Sequence, residues 1–385
     1  MGRRPRLLPA VGTARNLVTA ALEGILAEPA PRQGRGSGDP HGTPPASSGD
    51  AADIPDAALP PRELPLVLVA CSGGPDSLAL AAVAAHLAHL GRCRVGAVVV
   101  DHGLQAGSAA TAEQAATAAR GLGLDPVEVH RVTVDATRMG PEAAARGARY
   151  AALDAAAARL GAAAVLLGHT LDDQAEQVLL GLARGSGTRS LAGMPARRGL
   201  YVRPLLELRR ADTESICAFY GLDPWHDPTN LDPAFARSRV RGEVLPFLED
   251  RLGPGIAQAL ARTARILGQD ADHLEQLSAE AYAGLRLPGD DGAILLPEHG
   301  LLALPAALRQ RVLALAALEL GAFQPSFERL RAAEALLERK GSAGPVQLGG
   351  KVSVHRQVRG RSVLRGEASY GNLVLTSNGS NDGPA

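Results

Sequence analysis

The run LVLVACSGGPDSLAL (66–80) leaves the chain few folds to choose from. Its first five residues are apolar without a break, as suits a strand buried on both faces, and its end enters a helical stretch reaching about His89. Two glycines, a proline and an aspartate make the corner between them. Strands buried on both faces belong to sheets flanked by helices. Further apolar runs follow at RVGAVVV (94–100), PVEVHRVTV (126–134) and AAAVLLG (162–168). Between and after them lie helical stretches, an alanine-rich one at 141–160 and another from about Leu171 to Ala183. With YVRPLL (201–206) as a last strand, the alternation predicts an α/β fold around a parallel sheet, its ligands beyond the carboxyl ends of the strands.

Around that domain, set at 66–230, an N-terminal helix is expected within 1–28, and 29–65, rich in Pro, Gly, Ser and Asp, as a disordered insertion. Residues 231–345 read as a helical domain broken at Pro246, Gly253, Pro254 and RLPGDDGA. Alternation in VQLGGKVSVHRQVRGRSVLR predicts a short hairpin within 346–370, and 371–385 is expected to fray.

Lys+Arg and Asp+Glu number 40 each, so no net field draws a polyanion, and any nucleic-acid site rests on local arginines. The only lysines are Lys340 and Lys351, which excludes a lysine-bearing phosphate loop in the sheet domain. Cys71, Cys93 and Cys217 lie far apart with no CxxC pair, which argues against a disulfide framework, a zinc site or an iron–sulfur cluster and fits a reducing cytoplasm. No apolar run reaches the roughly 20 residues that span a bilayer, so no membrane association is expected.

At the corner, Ser72, Gly73 and Gly74 form the turn and Pro75 stands near the first helical position, where its missing amide hydrogen costs nothing. Glycines let backbone approach a ligand, and the amides of a helix N-terminus favour an anion. The segment is a phosphate cradle without a lysine, to which Ser72 and Ser77 can add hydroxyls; an ordinary capped turn is the plainer alternative. Asp76 is ill-suited to touch phosphate and reads as an organiser of the turn or a distant metal contact. In GHTLDDQAEQ (168–177), Asp172 or Asp173 can share a helical face with Glu176. Such acids hold Mg²⁺ bridged to phosphate, or a cationic amine. Asp101, His102, Gly168 and His169 fall at the same carboxyl edge of the sheet. Arg146 and Arg149, one helical turn apart, can clamp the phosphates of a nucleotide or of an RNA backbone; Arg184 is the charge of the loop RGSG. Arg237, Arg239 and Arg241 occupy alternate positions before a helix.

Six motifs in order, ACSGGPDS, VDHGLQAGS, ARGARYAAL, LLGHTLDDQAEQVLLGLARGSG, RPLL and DPTNLDPAFARSRVR, resemble those of the tRNA(Ile)-lysidine synthetases. These are PP-loop enzymes of the N-type ATP pyrophosphatase superfamily, with a Rossmann-like catalytic domain. The resemblance implies a ligase that uses ATP and Mg²⁺ to join free lysine to the wobble cytidine of the isoleucine tRNA with a CAU anticodon. It implies that residues 72–77, His102, Gly168 and His169 hold the nucleotide. By the same likeness Asp173 binds Mg²⁺ and orients the reacting groups, Glu176 receives the lysine, and Arg149 joins them in catalysis. Arg184, Arg237 and Arg241 then serve the tRNA, and the helical stretch 231–345 is the domain expected to bind it. Gln177, Gly181 and Ser238 depart from the residues usual in the family, which has threonine, arginine and asparagine there. Other PP-loop ligases are the alternative, but thiolases with clusters or sulfur carriers need cysteine pairs, and small-molecule ligases lack the GHTLDDQAEQ and RSRVR segments.

Overall fold

The computed structural model describes residues 7–27, 64–103, 107–134, 141–227, 232–339, 342–357 and 371–377. Nearly all of the 29–65 segment, part of the DPTN loop and the end of the chain lie outside the described residues. Two compact units divide the chain, Met1–Arg265 and Ile266–Ala385.

In the first unit, β1 (Leu66–Ala70), β2 (Arg94–Asp101), β3 (Val127–Arg131), β4 (Ala164–Leu167), β5 (Arg197–Arg198) and β6 (Tyr201–Val202) make one sheet. Its order is β3-β2-β1-β4-β6-β5, parallel except for the β5–β6 pair. The helices are α1 (Pro9–Ala27), α2 (Pro75–His89), α3 (Ser108–Gly121), α4 (Pro141–Leu160), α5 (Leu171–Ala183), α6 (Thr188–Leu191), α7 (Arg210–Phe219), α8 (Ala236–Arg239) and α9 (Leu245–Leu252). Because strand side chains alternate, the sheet has two cores. Val67, Val69, Val95, Ala97 and Val99 pack with α1, α2, α3 and α7. Leu66, Leu68, Val98, Val165 and Leu167 pack with Leu153, Ala156 and Ala157 of α4.

The N-terminal helix belongs to this core. Val11, Ala14, Val18 and Leu22 are fully buried, and Arg15 Nη2 donates to the Tyr220 hydroxyl at 2.8 Å. With α1 on one side and the sheet on the other, α2 is apolar nearly all round.

β1 lies between β2 and β4, with Ala70 paired to Leu167. The corner leaving β1 therefore stands beside the corner leaving β4. That is the switch point of the sheet, where such folds form a crevice.

The second unit takes the later part of α10 (Ile256–Leu285), then β7 (Leu287–Pro288), β8 (Ile294–Pro297), α11 (Glu298–Ala303), α12 (Ala306–Glu319), α13 (Phe327–Ala335), β9 (Val346–Gly349), β10 (Val352–Arg356) and β11 (Asn372–Ser377). β9 and β10 form the expected hairpin, within a five-stranded antiparallel sheet of order β7-β8-β11-β10-β9. The expectation of a fraying tail from 371 is corrected by β11. Leu373 and Leu375 are fully buried, and the strand closes the sheet between β8 and β10. Strand β8 was also hidden in a stretch read as helical, because ILLP is too short to show a period and its partner lies far along the chain.

Candidate active site at the switch point

Local rules build the glycine corner. Gly73 has φ +83, which a side chain resists, and a Cβ there would stand 3.0 Å from Ala115 Cβ. Gly74 caps α2 without a side chain, and Pro75 follows in the first turn. Ser77 Oγ donates to Gly74 O at 3.0 Å and accepts from Ser72 N at 3.1 Å, with Ser72 Oγ 3.2 Å away. The Ser77 hydroxyl is therefore spent on shaping the turn, while Ser72 is exposed.

Neighbouring elements brace the corner. Trp225 N donates to Gly73 O at 2.9 Å, and the Cys217 thiol to Pro75 O at 3.3 Å. A Cβ on Gly168 would come within 2.9 Å of Asp76 C and O, so the β4–α5 corner lies directly on the first turn of α2. Gly168 thus has a packing reason of its own. Asp76 accepts from Thr213 Oγ1 at 2.5 Å and from Arg210 Nε at 3.4 Å, tying α2 to α7. Burial pushes its carboxyl up, opposed first by Arg210. Of its two sequence readings, this is the organiser.

Helix α5 begins with a capping box. Asp173 Oδ2 accepts from Thr170 N at 2.8 Å and from Thr170 Oγ1 at 3.1 Å. Asp173 Oδ1 is left with longer partners, 3.3 Å to both Arg210 and Arg237 and 3.5 Å to Arg241. Burial raises the Asp173 carboxyl, but Arg237 and then Arg210 outweigh it, and the net shift is downward. Glu176, fully buried one turn on, is held harder: Arg237 Nε lies 2.8 Å from Oε2, Arg241 Nε 2.7 Å from Oε1, and Arg210 Nη1 3.7 Å from Oε1. Three carboxylates, Asp76, Asp173 and Glu176, face three guanidiniums. Asp172 points elsewhere, accepting from Arg209 Nε at 3.1 Å and from the Arg210 amide at 2.8 Å, which anchors the start of α7.

The segment ARSRVR is helical, not extended: α8 runs into a wider turn, Val240–Val244. Arg237 and Arg241, four apart, therefore share the face toward the acids, and Arg239 turns away to Pro233 O and Ala234 O. Arg184 is exposed at the end of α5 and touches none of these acids.

Arg149 is half-buried, and its guanidinium has no hydrogen bond or carboxylate partner among the described residues. Burial, then Arg146, pull its pKa below the ordinary arginine range. Its charge bears on His102 and His169, whose Nδ1 atoms are buried without hydrogen-bond partners among the described residues. Desolvation holds both neutral, His169 down to about 4 against the attraction of Asp173. A desolvated cation with no carboxylate partner among the described residues favours an anion beside it. The His102 side opens into a cavity of about 510 Å³ bounded by Gly107, Ser108, Arg131 and Thr133. A smaller one, about 130 Å³, reaches Glu176 past Arg209, Pro246 and Glu249.

For a divalent cation the donor set is thin. Among the described residues no three potential ligands cluster. Asp173 Oδ1, with its longer partners, is the carboxylate oxygen a cation could take, phosphate and water supplying the rest as Mg²⁺ usually demands. That fits Mg²⁺ arriving with a nucleotide and not a resident metal.

Sequence reasoning passed over Arg210, the residue that joins all three acids, and Thr213 with it. The doubled arginine opening LRRADTE was the available signal. At Gly181, where the resemblance led to the expectation of an arginine, a Cβ would meet Leu191 Cδ2 at 3.1 Å.

Comparison with known proteins shows the family. Residues 54–248 match the PP-loop domain family and residues 296–362 the TilS substrate binding domain family. A tRNA(Ile)-lysidine synthase of Leifsonia xyli is 51% identical over 315 residues, 80% of this chain and 94% of that protein. The same-named enzyme of Salinispora tropica is 53% identical over 298 residues, 76% of this chain and 88% of its own. That of Thermobifida fusca is 55% identical over 263 residues, 68% and 80%. A solved U34-tRNA thiolase from Methanococcus maripaludis with its 4Fe–4S cluster superposes at 16% identity with a TM-score of 0.47, over 67% of this chain and 80% of that one.

Proposed function

The chain belongs to the tRNA(Ile)-lysidine synthases, and from that premise we propose that it joins free lysine to C2 of the wobble cytidine of the CAU-anticodon isoleucine tRNA. ATP adenylates the C2 carbonyl oxygen with loss of pyrophosphate. The lysine ε-amine then attacks C2, AMP leaves with its electron pair, and a proton is released. A reducing cytoplasm is the compartment we propose; among the described residues no helix is long and apolar enough to cross a membrane.

One observation carries this reading: Arg210 bridges Asp76, in the first turn after the glycine corner, to Asp173 and Glu176 on α5. The phosphate cradle and the acidic helix are one site. Amides of the corner and Arg149, which has no carboxylate partner among the described residues, receive the triphosphate; Ser72 adds its hydroxyl. Mg²⁺ bound with the nucleotide would be held at Asp173 and would neutralise phosphate charge.

Glu176 is the counter-charge for the lysine ammonium, but Arg237 and Arg241 cover both its oxygens. The phosphates are the anions for which those arginines leave it, so ATP opens the place that lysine fills. Arg184, exposed beyond α5, is free to meet the RNA backbone.

Pyrophosphate release with ATP, lysine and a CAU-anticodon tRNA transcript, together with the mass of the recovered RNA, tests the proposal. Release that needs both lysine and tRNA, with RNA heavier by one lysyl group, is expected. Release indifferent to tRNA, or none in any combination, overturns it.

A further inference from the structure

Phenylalanine is ordinarily among the most buried residues, yet none of the five here lies in a core. Phe219, Phe235, Phe247, Phe323 and Phe327 are 37, 41, 58, 63 and 60% exposed. Phe323 and Phe327 flank the Ser326 cap of α13, and each carries a guanidinium at its ring. Arg329 Cζ stands 6.0 Å from the Phe323 centroid and Arg331 Cζ 6.0 Å from that of Phe327. Neither arginine is ion-paired among the described residues.

Phe323 is also seated. A Cβ on Gly349, which ends β9, would lie 3.2 Å from its Cε2 and 3.4 Å from its Cδ2, so the ring rests where glycine alone leaves room. Arg329 Nη1 donates to Leu348 O at 3.4 Å, which ties α13 to the same strand. One side of the ring is fixed by the fold, and most of its surface faces water.

Exposed aromatic faces rimmed by unpaired cations are what unpaired nucleotides need, bases stacking on the rings and phosphates meeting the guanidiniums. An apolar protein partner would leave both cations buried without counter-charge. We propose that Phe323 and Phe327, with Arg329 and Arg331, form a stacking platform for two unpaired bases of the tRNA. The inference rests on the tRNA substrate proposed above, and all four residues fall within the 296–362 match to the TilS substrate binding domain family.

Fluorescence anisotropy of a labelled tRNA transcript with the full-length protein, at two salt concentrations, tests it. Phe323→Ala and Phe327→Ala each weaken binding about 10-fold at either salt, as removal of a stacking ring does. Arg329→Gln with Arg331→Gln instead lowers the salt slope by about one for each phosphate that an arginine had neutralised. Phe323→Trp keeps wild-type affinity, and its added emission is quenched by tRNA. This variant carries the test should Phe323→Ala unfold. Alanine variants that bind like wild type, an unquenched tryptophan, or a change in sedimentation with RNA affinity intact (a second copy on this face) each overturn the platform. A wild-type protein that binds no tRNA sinks the substrate reading itself, whereas one that binds while the variants are unaffected sinks only the platform.

Discussion

Glu176 and Arg241, 65 positions apart, share two hydrogen bonds, Nε to Oε1 at 2.7 Å and Nη2 to Oε2 at 3.0 Å. Arg237 adds a third, at 2.8 Å to Oε2. A fully buried carboxylate is tolerable only when paired in this way. The pairing also covers the acid proposed above to receive the lysine ammonium; on that proposal the site holds its own cations in the substrate's place until an anion draws them off.

Lysine should therefore bind after ATP. In calorimetry, a non-hydrolysable ATP analogue is expected to tighten lysine binding at least about 10-fold, within the ordinary range of coupling between sites. Equal affinity with and without the analogue would mean that the arginines do not gate Glu176.

Arg149→Met removes a desolvated cation whose recorded contact is the Tyr150 ring, 6.0 Å from its Cζ, and no hydrogen bond or ion pair among the described residues is lost. Thermal stability should hold or rise, while kcat/KM for ATP falls by about 100-fold, the scale of one lost charge-stabilising donor. A variant that is destabilised yet fully active would place Arg149 in the architecture and not in the chemistry.

His169 sets a pH window. Its folded value, about 4, lies below the ordinary histidine value of 6.5, because burial and the Arg203, Arg237 and Arg149 charges outweigh Asp173. Between those values the unfolded chain binds a proton that the folded one refuses, so stability rises with pH there and is lost as pH falls from 6.5 to 4. Below the lower value both states are protonated and this loss ends. At about 1.4 kcal/mol per unit the swing is at most about 3.5 kcal/mol. Urea melts across the window should show the slope in the wild type and flatten in His169→Asn; parallel profiles would assign the slope to other groups.

Gly168→Ala forces a methyl to within 2.9 Å of the Asp76 backbone. Overpacking of this kind costs about 1–3 kcal/mol. It also pries α5 from the glycine corner, so ATP affinity should drop along with the urea midpoint. A midpoint shift with ATP binding untouched would show that the two corners need not touch for the nucleotide to bind.

How much of this was legible depends on how far each constraint reaches along the chain. Strand β1, the positive-φ turn at Gly73, Pro75 in the first turn of α2 and the span of α5 from Leu171 to Ala183 all obey rules acting within a few residues, and the sequence displayed them. The alternating placement of Val67 and Leu68 on opposite cores was equally plain from period two. Asp76, by contrast, meets Thr213 at a separation of 137 residues, and Glu176 meets Arg241 at 65. No local pattern encodes such pairings, so Arg210 went unnoticed, and the sequence offered Arg237 and Arg241 for the tRNA with no sign that Asp173 and Glu176 lie against them. Strand β11 was hidden for the same reason, since its apolar residues acquire partners only once β8 and β10 are folded beside it. The sequence by itself determined the α/β class and the positions of the glycine corner and the acidic helix, because turn chemistry and hydrophobic period are written in neighbouring residues. Which charges face one another was decided only by the tertiary structure, because a buried carboxylate must be neutralised by whichever cation the packing of distant helices carries to it.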